Sequence, residues 1–240
     1  MSNSKLVTYK RFSPNYSSRR GMKIKKITIH HVGGKLTVKQ IGNVFASSSR
    51  QASANYGVDN NGDVGLYVDE KYRAWTSSSA SNDCQAVTIE VANDGGAPRW
   101  HISPKALQTT IDLCVDICQR NGIDRLNYNG KSSGTLTRHN MFAATTCPGP
   151  YLQSKFPYIA EEVNRRLAEE DEKKNPADTF KVKVIVNTLN IRAGAGIKYK
   201  KTGAITDKGV YTIVKTVGSW GKLKSGKGWI NISSKYCKRI

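Results

Sequence analysis

The chain has 240 residues, enough for one large or two smaller domains that each bury a core. Its 38 Lys and Arg against 18 Asp and Glu leave a formal charge of +20, more than solubility requires, so the surface calls for an anionic partner. Five cysteines, an odd number in a chain of this length, exclude a small disulfide scaffold, and no stretch reaches the length of a transmembrane helix, so membrane insertion is not expected.

The N-terminal MSNSKLVTYKRFSPNYSSRR is polar and lacks the apolar run of a secretory signal, so the expectation is synthesis in a cytoplasm without an export signal. From about 24 to 31, Ile24, Ile27 and Ile29 between lysines predict a strand that carries His30 and His31 to a sheet edge, ahead of the Val32-Gly33-Gly34 loop. Residues 37–48 read as a helix with Thr37 as N-cap and Val38, Ile41, Val44 and Phe45 at helical spacing. In ANYGVDNNGDVGLYV, Asn60-Asn61-Gly62 is turn chemistry between two strand arms. Residues 85–92 form an apolar run interrupted by Glu90, a charge that is costly in a central strand unless paired or used, which makes Glu90 a functional candidate.

Ser103-Pro104 and Asn121-Gly122 bracket a helix whose Leu107, Ile111, Cys114, Val115 and Cys118 form a core stripe. Cys114 and Cys118 read as two packed thiols, and Cys84 and Cys237 have no motif around them. A last helix, 152–168, is broken early by Pro157. Strands alternating with helices imply an α/β core, a mixed central sheet flanked by helices.

The charged run EEDEKK and Asn175-Pro176 place a linker at 169–178, dividing the chain into 1–168 and 179–240. Beyond it, short β-rich runs with glycine turns and no helical period predict a small all-β barrel. From Asp178 to Ile240 fourteen Lys or Arg face two acids, Asp178 and Asp207, a net +12. A basic barrel with Trp220, Trp229 and Tyr211 could follow a phosphate backbone and stack bases; the same aromatics serve equally as barrel core.

His139 and Cys147 stand eight residues apart in RHNMFAATTCPGPYL. A histidine and a thiolate at a structured turn can hold two corners of a tetrahedral zinc, and His30 is the best supplier of a third. Zinc takes imidazole nitrogen and thiolate sulfur readily, and catalytic sites typically keep three protein ligands and an open fourth position. Alone, His30 reads as a hydrogen-bonded residue and Cys147 as a small buried hydrophobe. The Pro148-Gly149-Pro150 turn just after the thiol strengthens the set. Successive strand residues point to opposite faces, so only one of His30 and His31 can aim at the metal, and the other is left to pack or to bind substrate. His101, in PRWHIS, lacks metal spacing and reads as surface.

TIHH at 28–31, TIEVAN at 88–93 and His139 with TTCPG at 145–149 together resemble the zinc-dependent N-acetylmuramoyl-L-alanine amidases, in the branch shared by phage lysozyme-type amidases and peptidoglycan-recognition proteins. The resemblance spans about residues 20–165. It implies that His30, His139 and Cys147 bind zinc and that Glu90 is the general base. Thr145 falls where the family has a Lys or Thr that stabilises the oxyanion, although turn capping explains it as well. Ala54 stands where some relatives carry a catalytic Tyr, which leaves Tyr56 to the core and Glu90 to compensate. The family's AWH phrase appears as Ala74-Trp75-Thr76, and Asn55, Trp75 and Thr76 are expected to line the substrate groove.

LNIRAGAG at 189–196 and GKGWINISSKYC at 226–237 resemble bacterial SH3-like wall-binding domains. Together the two resemblances imply a peptidoglycan hydrolase that cuts between N-acetylmuramic acid and L-alanine and is targeted to a Gram-positive wall. Anionic wall polymers such as teichoic acids, rather than nucleic acid, then account for the charge, and a monomer is expected. Lack of an export signal points to a phage endolysin made in the host cytoplasm and reaching the cell wall by holin-type release. Two other readings compete: a non-catalytic peptidoglycan-binding protein, and a nucleic-acid-binding protein with a structural zinc. Cys147 and Glu90 favour the enzyme over the first, and a three-ligand set disfavours the second, because structural zinc normally takes four protein ligands.

Overall fold

A computed structural model describes residues 2–174 and 179–240, leaving out the side chains of 171–174. The chain divides into two compact units, Met1–Val163 and Asn164–Ile240. Along it run β1 (Tyr9–Lys10), β2 (Tyr16–Ser18), β3 (Lys26–His31), α1 (Val38–Phe45), β4 (Tyr56–Val58), β5 (Val64–Leu66), β6 (Tyr72–Ala74) and α2 (Ala80–Asp83). Then come β7 (Ala86–Val91), α3 (Pro104–Asn121), β8 (Leu136–Arg138) and α4 (Pro150–Lys174). Six of these strands form one sheet in the order β1-β5-β4-β7-β3-β8, in which β5 runs antiparallel to β4 and all other neighbours are parallel. This is the mixed central sheet expected from the sequence.

Local chemistry sets the boundaries. Thr37 caps α1 in a full capping box with Gln40, each satisfying a backbone N–H of the other. Ser103 caps α3, Pro104 occupies its first turn, and Gly122 ends it at φ +65°. At the β4–β5 turn the Asp59 carboxylate accepts the N–H groups of Asn61 and Asp63, and Gly62 supplies φ +78°.

Two helices differ from expectation. The buried face of α3 is Ala106, Thr110, Ile111, Leu113, Cys114, Ile117 and Cys118, whereas Leu107 and Val115 are only half-buried. A stripe chosen by bulk passes over Ala106 and over Thr110, whose hydroxyl donates to the Ala106 carbonyl and so needs no solvent. α4 runs unbroken from Pro150 to Lys174 with Pro157 inside it. Pro157 is exposed and costs one N–H, while Leu152, Phe156, Ile159, Ala160 and Val163 are buried along the helix and hold it. α4 also continues through 169–174, the first part of the stretch read as linker; residues 175–178 lie outside the described residues. Among the described residues no helix is long and apolar enough to cross a membrane.

In the second unit β9 (Phe180–Val184), β10 (Leu189–Arg192), β11 (Lys201–Ile205), β12 (Val210–Val217), β13 (Trp220–Leu223), β14 (Trp229–Asn231) and β15 (Cys237–Arg239) form an antiparallel sheet, ordered β11-β10-β14-β13-β12-β9-β15. Val182, Val184, Leu189, Ile191, Ile205, Ile213, Leu223, Ile230 and Cys237 make its core. Trp229 is buried and Tyr211 packs on that core. All five cysteines are buried and free.

Candidate metal centre and active-site cleft

β3 lies between β7 and β8, and this placement assembles the site. His30 and Glu90 are register partners on β3 and β7, so their side chains leave the same face of the sheet. On the other side of β3, Thr28 pairs with Thr137 and Ile29 with Arg138, so His139, the residue after β8, follows beside His30. The two imidazole rings are 4.8 Å apart, centroid to centroid. Ile27, Ile29, Val87, Ile89 and Val91 point to the opposite face and are fully buried.

Beneath the site the strands carry a polar layer. The Thr28 hydroxyl shares a hydrogen bond of 2.9 Å with Thr137 and accepts another of 2.9 Å from the Asn82 amide. Asn82 also donates to Ser77, whose hydroxyl donates to the buried Asp83 carboxylate over 2.6 Å. Thr88 bonds to Asn55 and to Thr76. These bonds fix the strand ends that present His30, Glu90 and His139.

Cys147 arrives on the turn before α4. Its Sγ lies 3.6 Å from Nδ1 of His30, and the donor atoms of His30, His139 and Cys147 are all within 4.8 Å of one another. The turn is held by the Thr145 hydroxyl, which accepts the Cys147 N–H over 3.2 Å. Gly149 follows at φ +79°, where a Cβ would stand 2.8 Å from Cβ of Trp100 and 3.3 Å from the His31 ring. Only glycine fits that place without strain.

The three donors suit a metal ion. Nε2 of His30, Nδ1 of His31, Nε2 of His139 and one oxygen of Glu90 are buried without a hydrogen-bond partner, whereas Nδ1 of His30 faces the Cys147 thiol. Native buried polar atoms are nearly always paired, so orphans on His139 and Glu90 beside the His30–Cys147 pair mark a site shaped for a group outside the chain. Burial, reinforced by the neighbouring His139 and His31, holds His30 well below its usual pKa; burial also lowers His139, against the pull of Asp83. Both rings are therefore neutral at pH 7, the form that ligates metal. Burial pushes the Cys147 thiol up, and a backbone N–H from His31 works against it. Burial raises the Glu90 carboxyl to about 8, opposed by the charge of Arg50.

Glu90, His139 and Cys147 open into a cleft of about 440 Å³. Val32, Leu36, Val44 and Phe45 give it apolar lining, and Arg50, Trp75 and Thr76 add polar groups. Trp75 and Thr76 thus stand where the sequence placed them. Asn55 does not: it is fully buried, and its amide donates to the Val68 carbonyl while its oxygen accepts from Thr88. Thr145 is not among the lining residues. His31 lines the cleft with its ring edge-on to Trp100 at 5.2 Å, apart from the donor set. His101 is tied to Asp94 at 2.6 Å and stacks near Tyr151. Ala54 is buried, and Tyr56 is core, donating its hydroxyl to Glu70 over 2.7 Å. Nothing in the sequence singles out Arg50, which sits in a serine-rich loop without periodicity, or Asp83, whose partners are fixed only by the fold.

The family model described as N-acetylmuramoyl-L-alanine amidase matches residues 20–150. Solved structures similar to this chain include a selenomethionine derivative of AmpD, 16% identical with a TM-score of 0.51, the match covering 67% of this chain and 99% of that one. The Staphylococcus aureus hydrolase AmiA in complex with its ligand is 16% identical with a TM-score of 0.55, over 72% of this chain and 88% of that one. A mutant endolysin from Bacillus subtilis is 16% identical with a TM-score of 0.50, over 65% and 99%. At such identities the likeness speaks for the fold. Among curated proteins none is a significant sequence match. The family match spans more than half of the chain and contains His30, Glu90, His139, Thr145 and Cys147, so the chain belongs to the N-acetylmuramoyl-L-alanine amidase family.

Proposed function

We propose that the protein is a zinc-dependent peptidoglycan hydrolase that cleaves the amide bond between N-acetylmuramic acid and L-alanine. The observation that carries this reading is the convergence of His30, His139 and Cys147 beside an unpaired Glu90 oxygen at one cleft. Tetrahedral zinc, with Zn–S of ~2.3 Å and Zn–N of ~2.0–2.1 Å, spans ~3.6 Å between sulfur and nitrogen. The Cys147–His30 separation of 3.6 Å suits that span. Zinc bound by these three residues supplies Lewis acidity, which polarises an amide carbonyl and lowers the pKa of water.

The chain's own residues do the rest. Glu90, ionised when a bound cation offsets the burial that otherwise keeps it protonated, takes the proton of the attacking water and passes it to the departing amine. Its neighbours in the cleft help: Val32, Leu36, Val44 and Phe45 shed water from the amide, and Trp75 and Thr76 orient the substrate. Thr145 accepts the Cys147 N–H and keeps its own hydroxyl proton, which we assign to the oxyanion.

The second unit is read as an SH3-like wall-binding domain, supported by its antiparallel sheet and by the LNIRAGAG and GKGWINISSKYC phrases. In this reading the protein is a monomeric phage endolysin, made in the host cytoplasm, released by a holin-type protein and held on the wall by its basic unit. Incubation with purified peptidoglycan tests the chemistry. Release of new N-terminal alanine, without new reducing sugar ends and abolished by chelator, is the expected result. Wall binding with no amine release under any metal condition would leave the non-catalytic peptidoglycan-binding reading in its place.

A further inference from the structure

The second unit carries a charge pattern that its fold does not require. Lys183 on β9 and Lys238 on β15 are register partners, so the two side chains leave the sheet side by side. Directly opposed residues have Cβ atoms ~4.5–5.5 Å apart, and like charges there are destabilising. Lys181, two residues along β9, shares their face at ~6.6–6.8 Å from Lys183. All three lysines are exposed, while Val182 and Val184 between them are buried. On the other side of β9, Val210 opposes Lys183 and Thr212 opposes Lys181, so β12 brings no negative charge.

Carboxylates near this face are few and engaged: α4 brings Glu169 beside Val210 and Thr212, and it pairs with Arg165 at 2.5 Å. Among the described residues 179–240 the one carboxylate side chain is Asp207, and the Tyr211 hydroxyl already donates to it. Among the described residues Lys181, Lys183 and Lys238 form no ion pair. β15 is an edge strand, and a lysine on an edge guards against pairing with other chains. Edge protection accounts for Lys238 alone. It does not account for a second lysine set directly against it and a third at the next position on the same face.

We propose that the β9–β15 face binds an anionic wall polymer built of phosphodiester repeats, with Lys181, Lys183 and Lys238 as its cationic contacts. The proposal rests on the reading of the protein as a wall hydrolase, and it deepens that reading by naming the surface and the chemistry that hold it on the wall. A wall polymer is favoured over nucleic acid because Trp229 and Tyr211 are packed in or on the core, which leaves half-buried Trp220 as one aromatic of the three rather than a stacking platform.

The test uses the full chain. Lys183→Gln with Lys238→Gln is compared with Lys198→Gln with Lys200→Gln, which removes the same charge from the loop before β11. Binding to purified Gram-positive walls is measured across a salt series, before and after their phosphodiester polymers are stripped with hydrofluoric acid, alongside hydrolysis of a soluble muropeptide. The β9–β15 variant should bind untreated walls about tenfold more weakly at about 0.15 M salt, with a salt slope shallower by about one per lysine removed. The loop variant should lose much less, and both variants should match the wild type on stripped walls. Equal losses in the two variants, wild-type binding that survives stripping unchanged, or tighter binding to DNA than to intact walls would each overturn the proposal. Hydrolysis of the muropeptide should be the same in all three proteins; its absence from all three, with the binding difference intact, would overturn the amidase reading and leave the polymer site standing.

Discussion

Replacing Gly149 by alanine should destabilise the first unit by about 2–5 kcal/mol, the sum of two effects that the structure separates. Gly149 has φ +79°, which costs a residue with a Cβ ~1–2 kcal/mol. The new Cβ would also stand 2.8 Å from Cβ of Trp100, an overpacking of ~1–3 kcal/mol. Gly130 has φ +73° but nothing within 4 Å, so Gly130→Ala carries the first effect alone. Gly96 has open space and no positive φ, so Gly96→Ala carries neither cost and shows only the gain from a stiffer unfolded chain. The gain of ~0.4–1 kcal/mol from a stiffer unfolded chain is common to all three and cancels in the comparison. A domain near the middle of the usual range, ~10 kcal/mol, survives the Gly149 change. With m of ~2 kcal/mol/M, its urea midpoint should fall by about 1–2.5 M. Peptide-resolved hydrogen exchange in urea reads residues 1–163 separately from the second unit. If Gly149→Ala cost no more than Gly130→Ala, Trp100 would not be seated against the Cys147 turn and the account of that turn would fail.

Glu90→Gln should keep the fold and lose on the order of a hundredfold or more in turnover; a near-native rate would move the base to another residue. In chelator-treated protein, burial raises the folded Glu90 carboxyl to about 8, so the folded state keeps a proton that the unfolded chain releases at lower pH. Its contribution to stability is therefore full below the ordinary carboxylate pKa and is lost as pH rises toward about 8, a slope that Glu90→Gln should remove and that would count against the burial if it persisted. His30→Ala and His139→Ala should abolish metal retention while His31→Ala keeps it; metal analysis giving the reverse order would put the wrong face of β3 in the site. Thr145→Val should lower kcat with metal retained and Thr145→Ser should restore it, whereas an unchanged kcat in the valine variant would reduce Thr145 to a turn cap.

Much of this architecture is legible because it rests on local chemistry. Thr37 with Gln40, Ser103 with Pro104, and Gly122 announce helix ends through bonds made within a few residues. His30, Glu90 and His139 lie at strand ends or on a strand whose apolar runs are plain, and the fold brings His30, His139 and Cys147 together as their residue types suggested. What the sequence hides depends on distant partners. Asn55 reads as a groove residue, yet its amide is committed to Val68 and Thr88. Thr28, Thr137, Asn82 and Asp83 are polar residues at buried positions, so hydropathy gives no sign that they form one layer under the site. Pro157 predicts a break, but burial along the remaining face of α4 outweighs one missing hydrogen bond. Arg50 acts on Glu90 only because the fold brings the turn after α1 to the same cleft.

Zinc titration of the chelated protein bears most directly on the reading of the site. Full-length protein freed of metal should release no N-terminal alanine from purified peptidoglycan, and activity should return as zinc approaches one equivalent. Cys147→Ser, folded to the same extent, should neither retain that zinc nor recover turnover, because a neutral hydroxyl replaces the thiolate. Full activity in the metal-free protein, or a Cys147→Ser variant with equal zinc and equal specific activity, would contradict the assignment of His30, His139 and Cys147 as the catalytic metal site.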